Sequence, residues 1–330
     1  LAAYGLSDYV DNDLRSREEG AEGFSRLEGK FYSPGFWVSF AAHARDKGAN
    51  YSDIQFINDD QRGYCEAIKL PSALNCVDTY PYPRRNEGVN YSPLVLLENA
   101  ESTDGATQTI NACIRNLCSG LSVDEFSNSL CEVVGDLHDN VWSHGKSTGF
   151  SMAQRWKKPY SEDAFLFEFA LADRGIGFLR ELRRVGLSIR SDAEAIDWCI
   201  KRGNSSKLVS QTSDDGWDQR LPSDMMGNPM LGIARVKESD NHHQGLGLAK
   251  LTDLVATYSG TLWLATGEAM YVIEPQQSYT KSLNFSWKGV SVACRFDSSL
   301  IVNNTGKKRI DNITSELIGL LGGGYGGNNT

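Results

Sequence analysis

Between about residues 122 and 144, the apolar side chains Phe126, Leu130, Val133, Leu137 and Val141 recur at steps of three and four. That period commits the segment to an amphipathic helix with one stripe in a core. On a neighbouring face Asp136, Asn140 and His144 stand at i, i+4 and i+8, so three polar side chains share one side of the helix. Two strands are expected next, at about 149–156 and 164–172. In the second, Phe165, Phe167, Phe169 and Leu171 fall on one face and Leu166, Glu168 and Ala170 on the other, the two-residue period of a strand. Asp173 closes that strand.

The surrounding pattern extends this core. A short apolar strand is expected at Leu94–Leu97 and a helix at about 105–118. Beyond Asp173 come short helices at about 177–185 and 191–202, then a polar stretch from Gly203 to Gln244. A helix at about 246–258 and strands at about 261–266, 269–274 and 288–296 follow. The first hundred residues read as a smaller α/β unit. Ser33-Pro34-Gly35 opens a helix through Phe36, Trp37, Phe40 and Ala44, which Gly48 can end in a left-handed conformation. Ser52 to Ile57 alternates like a strand, a helix is expected from Asp59 to Leu70, and Tyr80-Pro-Tyr-Pro-Arg-Arg85 reads as a linker. Residues 298–330 are expected to form a helix and a flexible Gly-rich tail.

Bulk properties exclude several classes. A chain of 330 residues, 40% hydrophobic, can bury a full core. No apolar run reaches the roughly 18–20 residues of a membrane span. Leu1 to Asp8 lacks a basic flank followed by an apolar run, so no signal peptide is expected. The formal charge of -9 argues against nucleic acid as the main partner. The seven scattered cysteines contain no C-x-x-C pair and suit thiols in a reducing cytosol.

Three segments carry chemistry. Asn140 offers a neutral, hard amide oxygen of the kind Mg²⁺ accepts beside waters and phosphate oxygens, although taken alone it reads more readily as a polar residue on an amphipathic helix. Asp173 can accept a hydrogen bond from the exocyclic amine of adenine, and a buried acceptor rejects a base lacking that donor. Gly175 and Gly177 allow a turn and a close approach of a ring to backbone, yet the same pattern serves an ordinary strand-to-helix turn. Gly245, Leu246 and Gly247 precede an amphipathic helix whose first N–H groups would face phosphate oxygens. The stretch before them, with Asn204-Ser-Ser-Lys207, fits either a lid over a triphosphate or a plain surface loop.

Taken in order, Asp136-Leu-His-Asp-Asn140-Val-Trp-Ser-His144-Gly145, Asp173-Arg-Gly175-Ile-Gly177 and Gly245-Leu-Gly247-Leu248 resemble the asparagine box and two glycine boxes of the GHKL superfamily. That superfamily includes gyrase, heat-shock chaperone and mismatch-repair ATPase domains, sensor histidine kinases and anti-sigma-factor kinases. The resemblance covers about 105–297. It implies an α/β (α+β) two-layer sandwich, with a mixed sheet covered by helices on one face. It also implies ATP and Mg²⁺ as cofactors, Asn140 on the metal, Asp173 on adenine, and Gly175, Gly177, Gly245, Leu246 and Gly247 around the nucleotide. Lys146 is either a further phosphate contact or a solvated lysine. Hydrolysing and protein-kinase members carry Glu four residues before the Asn as the catalytic base. Here that position is Asp136, one methylene shorter, with Asp139 and His138 as less favoured alternatives. Residues 1–100 more loosely resemble STAS-like regulatory domains, through their helix-strand-helix order and Arg62-Gly-Tyr-Cys-Glu-Ala-Ile-Lys-Leu70.

The expectation is therefore Mg²⁺-dependent ATP binding, with hydrolysis coupled to a conformational switch that regulates an unidentified protein partner. Two alternatives stand beside it: an ATP-gated interaction module without turnover, and a Ser/Thr protein kinase of the anti-sigma-factor type. A sensor histidine kinase fits less well, because His43, the one His upstream, sits in a packed pattern. The short stretch after Asp297 leaves no room for a gyrase-like transducer domain. A self-contained cytoplasmic regulatory ATPase, compatible with a homodimer, is the better fit.

Overall fold

The computed structural model describes residues 3–18, 24, 26–141, 147–204, 206 and 247–308. Its centre is a five-stranded open sheet in the order β1-β2-β3-β5-β4. The strands are β1 (Val95–Leu97), β2 (Gly149–Lys157), β3 (Phe165–Asp173), β4 (Thr261–Glu274) and β5 (Gln277–Asp297). All four ladders are antiparallel. The α/β class holds, with an antiparallel sheet in place of the expected mixed one. Consecutive strands β2–β3 and β4–β5 are neighbours in sequence as well as space, which antiparallel pairing permits through short connections.

The central strand is β3, and both its faces are buried. Phe167, Phe169 and Leu171 point to one side, where Val292, Cys294 and Phe296 of β5 continue the apolar surface. Helices α6 (Ala100–Leu117), α7 (Asp124–Asn140) and α10 (Gly247–Thr257) cover that side. The expected stripe of α7 is its buried face: Phe126, Leu130, Val133, Leu137 and Val141 all belong to this core. Phe126 meets Tyr258 and Phe296 edge to face, each at 4.9 Å between ring centroids, a favoured aromatic geometry.

The second face is also covered, which a sheet clothed on one side would not show. Helix α3 (Pro34–Asp46) lies there against β2, β3 and β5. It follows the short helices α1 (Leu6–Asp8) and α2 (Leu14–Glu18). Small residues make this close approach feasible: Ala170, Ala172 and Ala293 face α3, and a Cβ added at Gly35 would meet Ala293 Cβ at 3.0 Å. As expected, α3 begins with Ser33 as its N-cap and Pro34 in the first turn, where a missing N–H costs nothing. It ends just before Gly48, at φ +68°.

The cap of α3 comes from the sheet. Ser33 makes no side-chain cap bond within its own helix; its Oγ donates to Glu168 Oε1 at 2.8 Å, and the Gly35 N–H donates to the same oxygen at 2.7 Å. The other carboxylate oxygen accepts from Arg295 Nε at 2.7 Å. Glu168 and Arg295 face each other directly across the β3–β5 ladder, and the guanidinium lies 5.3 and 5.0 Å from the rings of Trp156 and Trp263.

The strand expected at Ser52 to Ile57 does not form. Tyr51–Asp53 is a short 3-10 turn, and Gln55 makes only an isolated bridge with Arg26. Ile54 is buried but Ile57 is 55% exposed, and with no neighbouring strand to pair with, alternation alone cannot hold an extended segment. The described N-terminal residues before β1 thus contain no strand of a sheet of their own. They make α4 (Asp59–Ala67) and α5 (Leu70–Ala73), and their apolar side chains join one cluster with the sheet. The helix expected up to Leu70 stops at Ala67, and Lys69 at φ +64° turns the chain before α5 opens with Leu70 and Pro71, the proline lying in a first turn where its missing N–H costs nothing. Residues 298–308 are helical; the expected Gly-rich tail lies outside the described residues. Among the described residues no helix is long and apolar enough to cross a membrane. All seven cysteines are free thiols.

Removing the Glu168 carboxylate strands both a helix start and a guanidinium. Glu168→Ala is expected to cost about 3 kcal/mol, seen as a lower urea midpoint with an unchanged m-value. A midpoint within error of wild type would show that this pair does not hold the α3 layer.

Candidate functional site

The two faces of β3 serve different purposes. Odd-numbered residues point toward α7, so Asp173, at the strand's end, emerges on that side. Helix α7 brings Asp136 and Asn140 to the same place from adjoining turns. Helix α8 (Gly177–Arg184) starts there, and α10 crosses α7 there. Between them lies an open cleft, with about 990 Å³ of empty space when the solvent at its mouth is included. Asp136, Asn140, Asp173, Gly177, Gly247 and Leu248 all line it. Its walls are largely apolar, from Leu171, Ile176, Phe178, Val290 and Val292, with Glu181 of α8 and Trp198 of α9 (Asp192–Cys199) farther along.

Asp173 is 4% exposed. Its Oδ1 accepts the Gly175 N–H at 2.7 Å and the Ser147 hydroxyl at 3.4 Å. Burial pushes its carboxyl up to about 6, against the opposing pull of the Gly175 and Val290 N–H groups, Ser147 and the neighbouring Arg174 charge. The folded value lies above the ordinary 3.8, so the native state holds this proton more tightly than the unfolded chain does. Ionising the group therefore costs stability as pH rises from near 4 to near 6, on the order of 3 kcal/mol when complete.

Backbone crowds Asp173 in a way that explains the glycines. Gly289 of β5 has φ +89°, and a Cβ there would fall 2.4 Å from the Asp173 carbonyl oxygen and 2.6 Å from its Oδ1. Gly177 has φ +72°, and its Cβ would meet Thr266 Oγ1 at 3.1 Å. The Thr266 hydroxyl donates to the Gly289 carbonyl at 2.7 Å. Gly175 contributes through its N–H to Asp173.

Asp136 is 3% exposed and sits where α10 touches α7. A Cβ on Gly247 would lie 2.7 Å from Asp136 Cβ, so only glycine allows the helices to meet here. One turn later, Lys250 places its ammonium 3.5 Å from Asp136 Oδ2 and 3.7 Å from Glu132. Asn140 is half-buried on the cleft wall. Among the described residues no group of three His, Cys, Asp or Glu could hold a metal. A lone amide oxygen such as that of Asn140 suits Mg²⁺ only where waters and other oxygens complete the cation's shell.

The alternative bases do not reach the cleft. His138 is fully buried between α6 and β2, with Thr107 Oγ1 at 2.8 Å and Ser151 Oγ at 2.9 Å. Burial lowers it to about 3, so it is a neutral core residue. Asp139 is not part of the lining. Lys146, Gly245 and Leu246 lie outside the described residues, as does most of the expected lid.

Several residues of the site were not anticipated from the sequence: Lys250, Thr266, Gly289 and Glu181. Gly289 carried a signal, since an isolated glycine in a strand pattern marks a close approach of other backbone. Lys250 follows Gly247 by three residues, one helical turn. Glu181 lines the cleft with its carboxylate held by Arg184 at 2.8 Å and by the Ser206 hydroxyl at 3.1 Å; no sequence pattern pointed to it. Comparison with protein-family models, curated proteins and solved structures finds no match.

The crowding makes a contrast between two glycines. Gly289→Ala should destabilise by about 3 kcal/mol, through overpacking and a strained positive φ. Gly105→Ala, on α6 with nothing within 4 Å of the added carbon, should stabilise by about 0.5–1 kcal/mol. Thermal unfolding of the two variants measures both, and equal shifts would contradict the packing around Asp173.

Proposed function

We propose that the cleft binds ATP with Mg²⁺, as the GHKL-like segments imply, and that nucleotide occupancy switches the protein's contact with a protein partner in the cytosol. One observation carries this reading: residues of all three segments, far apart in sequence, line a single apolar cleft with a buried carboxylate at its side. A purine fits apolar walls, and its exocyclic amine would give the buried Asp173 carboxylate a further donor. Asn140 would hold Mg²⁺ through its amide oxygen, with phosphate oxygens completing the cation's shell, and the bound cation would neutralise phosphate charge.

Two outcomes follow for the bound nucleotide. In the first, Asp136 acts as general base toward a water, giving ATP hydrolysis. In the second, ATP is held without turnover, and a specific contact favours this: Lys250 already occupies the Asp136 carboxylate. Phosphate release by purified protein distinguishes them, with Asp136→Asn and Asn140→Ala as comparisons. Under the first reading, Asp136→Asn keeps binding and loses release. Under the second, wild type binds and releases none. Labelled phosphate appearing on a partner protein would instead select phosphotransfer.

Calorimetric titration tests binding itself. Asp173→Asn should weaken MgATP by at least about tenfold, because the amide turns a donor toward the adenine amine. Wild-type affinity should rise roughly tenfold between pH 5 and pH 7 as Asp173 ionises, and the variant should lack that component. Folded wild type giving no heat with MgATP at pH 7 would end the proposal.

A further inference from the structure

The residue after Asp173 and the residue before Gly289 are both cations, and both reach the same acid on the far side of the sheet. Asp46, the last residue of α3, accepts from Lys288 Nζ at 2.8 Å through Oδ1. Its Oδ2 lies 3.4 Å from Arg174 Nε. Arg174 is 5% exposed, and its guanidinium carbon lies 5.0 Å from the centre of the Trp287 ring. The two chain segments that enclose Asp173 are thus each pinned, one residue away, by one carboxylate of the opposite layer.

The placement of Asp46 is not what a free helix would choose. An acid in the last turn opposes the helix dipole, and here two cations offset that. Burial alone would raise its carboxyl, but the Lys288 hydrogen bond and the Arg174 charge outweigh it and hold it below the ordinary value. The start of the same helix is fixed through Ser33 and Gly35 to Glu168 of β3. Helix α3 is therefore fastened at both ends to the strand that presents Asp173.

We propose that Asp46 is a positioning residue for the adenine-binding carboxylate: by holding Arg174 and Lys288, it keeps the Asp173–Gly177 turn and the Gly289 backbone closed around Asp173. The position of α3 then sets how selectively the cleft takes adenine. This rests on the ATP reading above. It also gives the N-terminal layer a physical route to the site, since a shift of α3 moves Asp46 and loosens both segments together. A merely stabilising surface pair would act differently, changing overall stability a little with no preference for this turn.

The test uses the full chain, with Asp46→Asn, the conservative Asp46→Glu, and Asp11→Asn as control. Asp11 makes a comparable pair with Lys281, at 2.6 Å, away from the cleft. Without nucleotide, hydrogen exchange at the Gly175 amide, which donates to Asp173, should quicken about tenfold in Asp46→Asn relative to β2 and β3 core amides. Asp46→Glu should restore part of the protection, and Asp11→Asn should leave it unchanged. With nucleotide, the preference for ATP over ITP, whose base lacks the exocyclic amine, should fall severalfold in Asp46→Asn. Unchanged Gly175 exchange, or faster exchange with an unaltered ATP preference, would overturn the proposal. A wild type that binds neither nucleotide would overturn the ATP reading instead, and is recognisable because the exchange comparison is made on the free protein.

Discussion

A strand with both faces buried allows no polar side chain without a partner, and β3 carries two acids. This constraint organises the molecule. Glu168 projects to the α3 side, Asp173 to the α7 side. Glu168 would be prohibitively costly as an isolated charge, so the fold surrounds it. Arg295 stands directly opposite on β5, and the first turn of α3 supplies a hydroxyl and an N–H. The result fixes the N-terminal layer onto the sheet, and with it the order of the three layers.

The cleft arises on the other side from close backbone contacts. Gly247 lets α10 rest on Asp136, and Gly289 lets β5 run against Asp173. Both approaches are too tight for a Cβ, so these glycines act through excluded volume as much as through backbone freedom. Space for a ligand opens only because the walls around the acids are held at fixed distances by such contacts. A side chain at either position would move the wall it belongs to.

Much of this was readable along the chain, because it is local. The stripe on α7, the alternation of β3 and the cap at Ser33-Pro34 each depend on residues a few positions apart, and each element forms as its period predicts. Asp136, Asn140, Asp173, Gly177 and Gly247 could be singled out from their segments, and the described structure gathers them into one cleft. The first half of β5 went unread although it alternates plainly, Tyr279, Lys281, Leu283, Phe285 and Trp287 against Ser278, Thr280, Ser282, Asn284 and Ser286. The opposite error at Ser52 to Ile57 has the same root. Alternation states which face a strand would bury, not whether another strand lies beside it. Pairings between distant residues, such as Arg174 with Asp46 or Lys250 with Asp136, leave no trace in local pattern.

The contrast between the two acids of β3 separates a structural charge from one suited to binding. Glu168 has a full counter-charge and two further donors at hydrogen-bond distance, which leaves little for a ligand to improve. Asp173 has neutral donors alone at its carboxylate, since Arg174 turns away toward Asp46 and Trp287. Burial raises its carboxyl, and these donors and the Arg174 charge only partly offset that. A fold selected only for stability would exchange such a residue for an amide or an apolar side chain. Under the ATP reading proposed above, an incoming donor at this carboxylate would offset part of its burial cost and so give selectivity for a base that carries one.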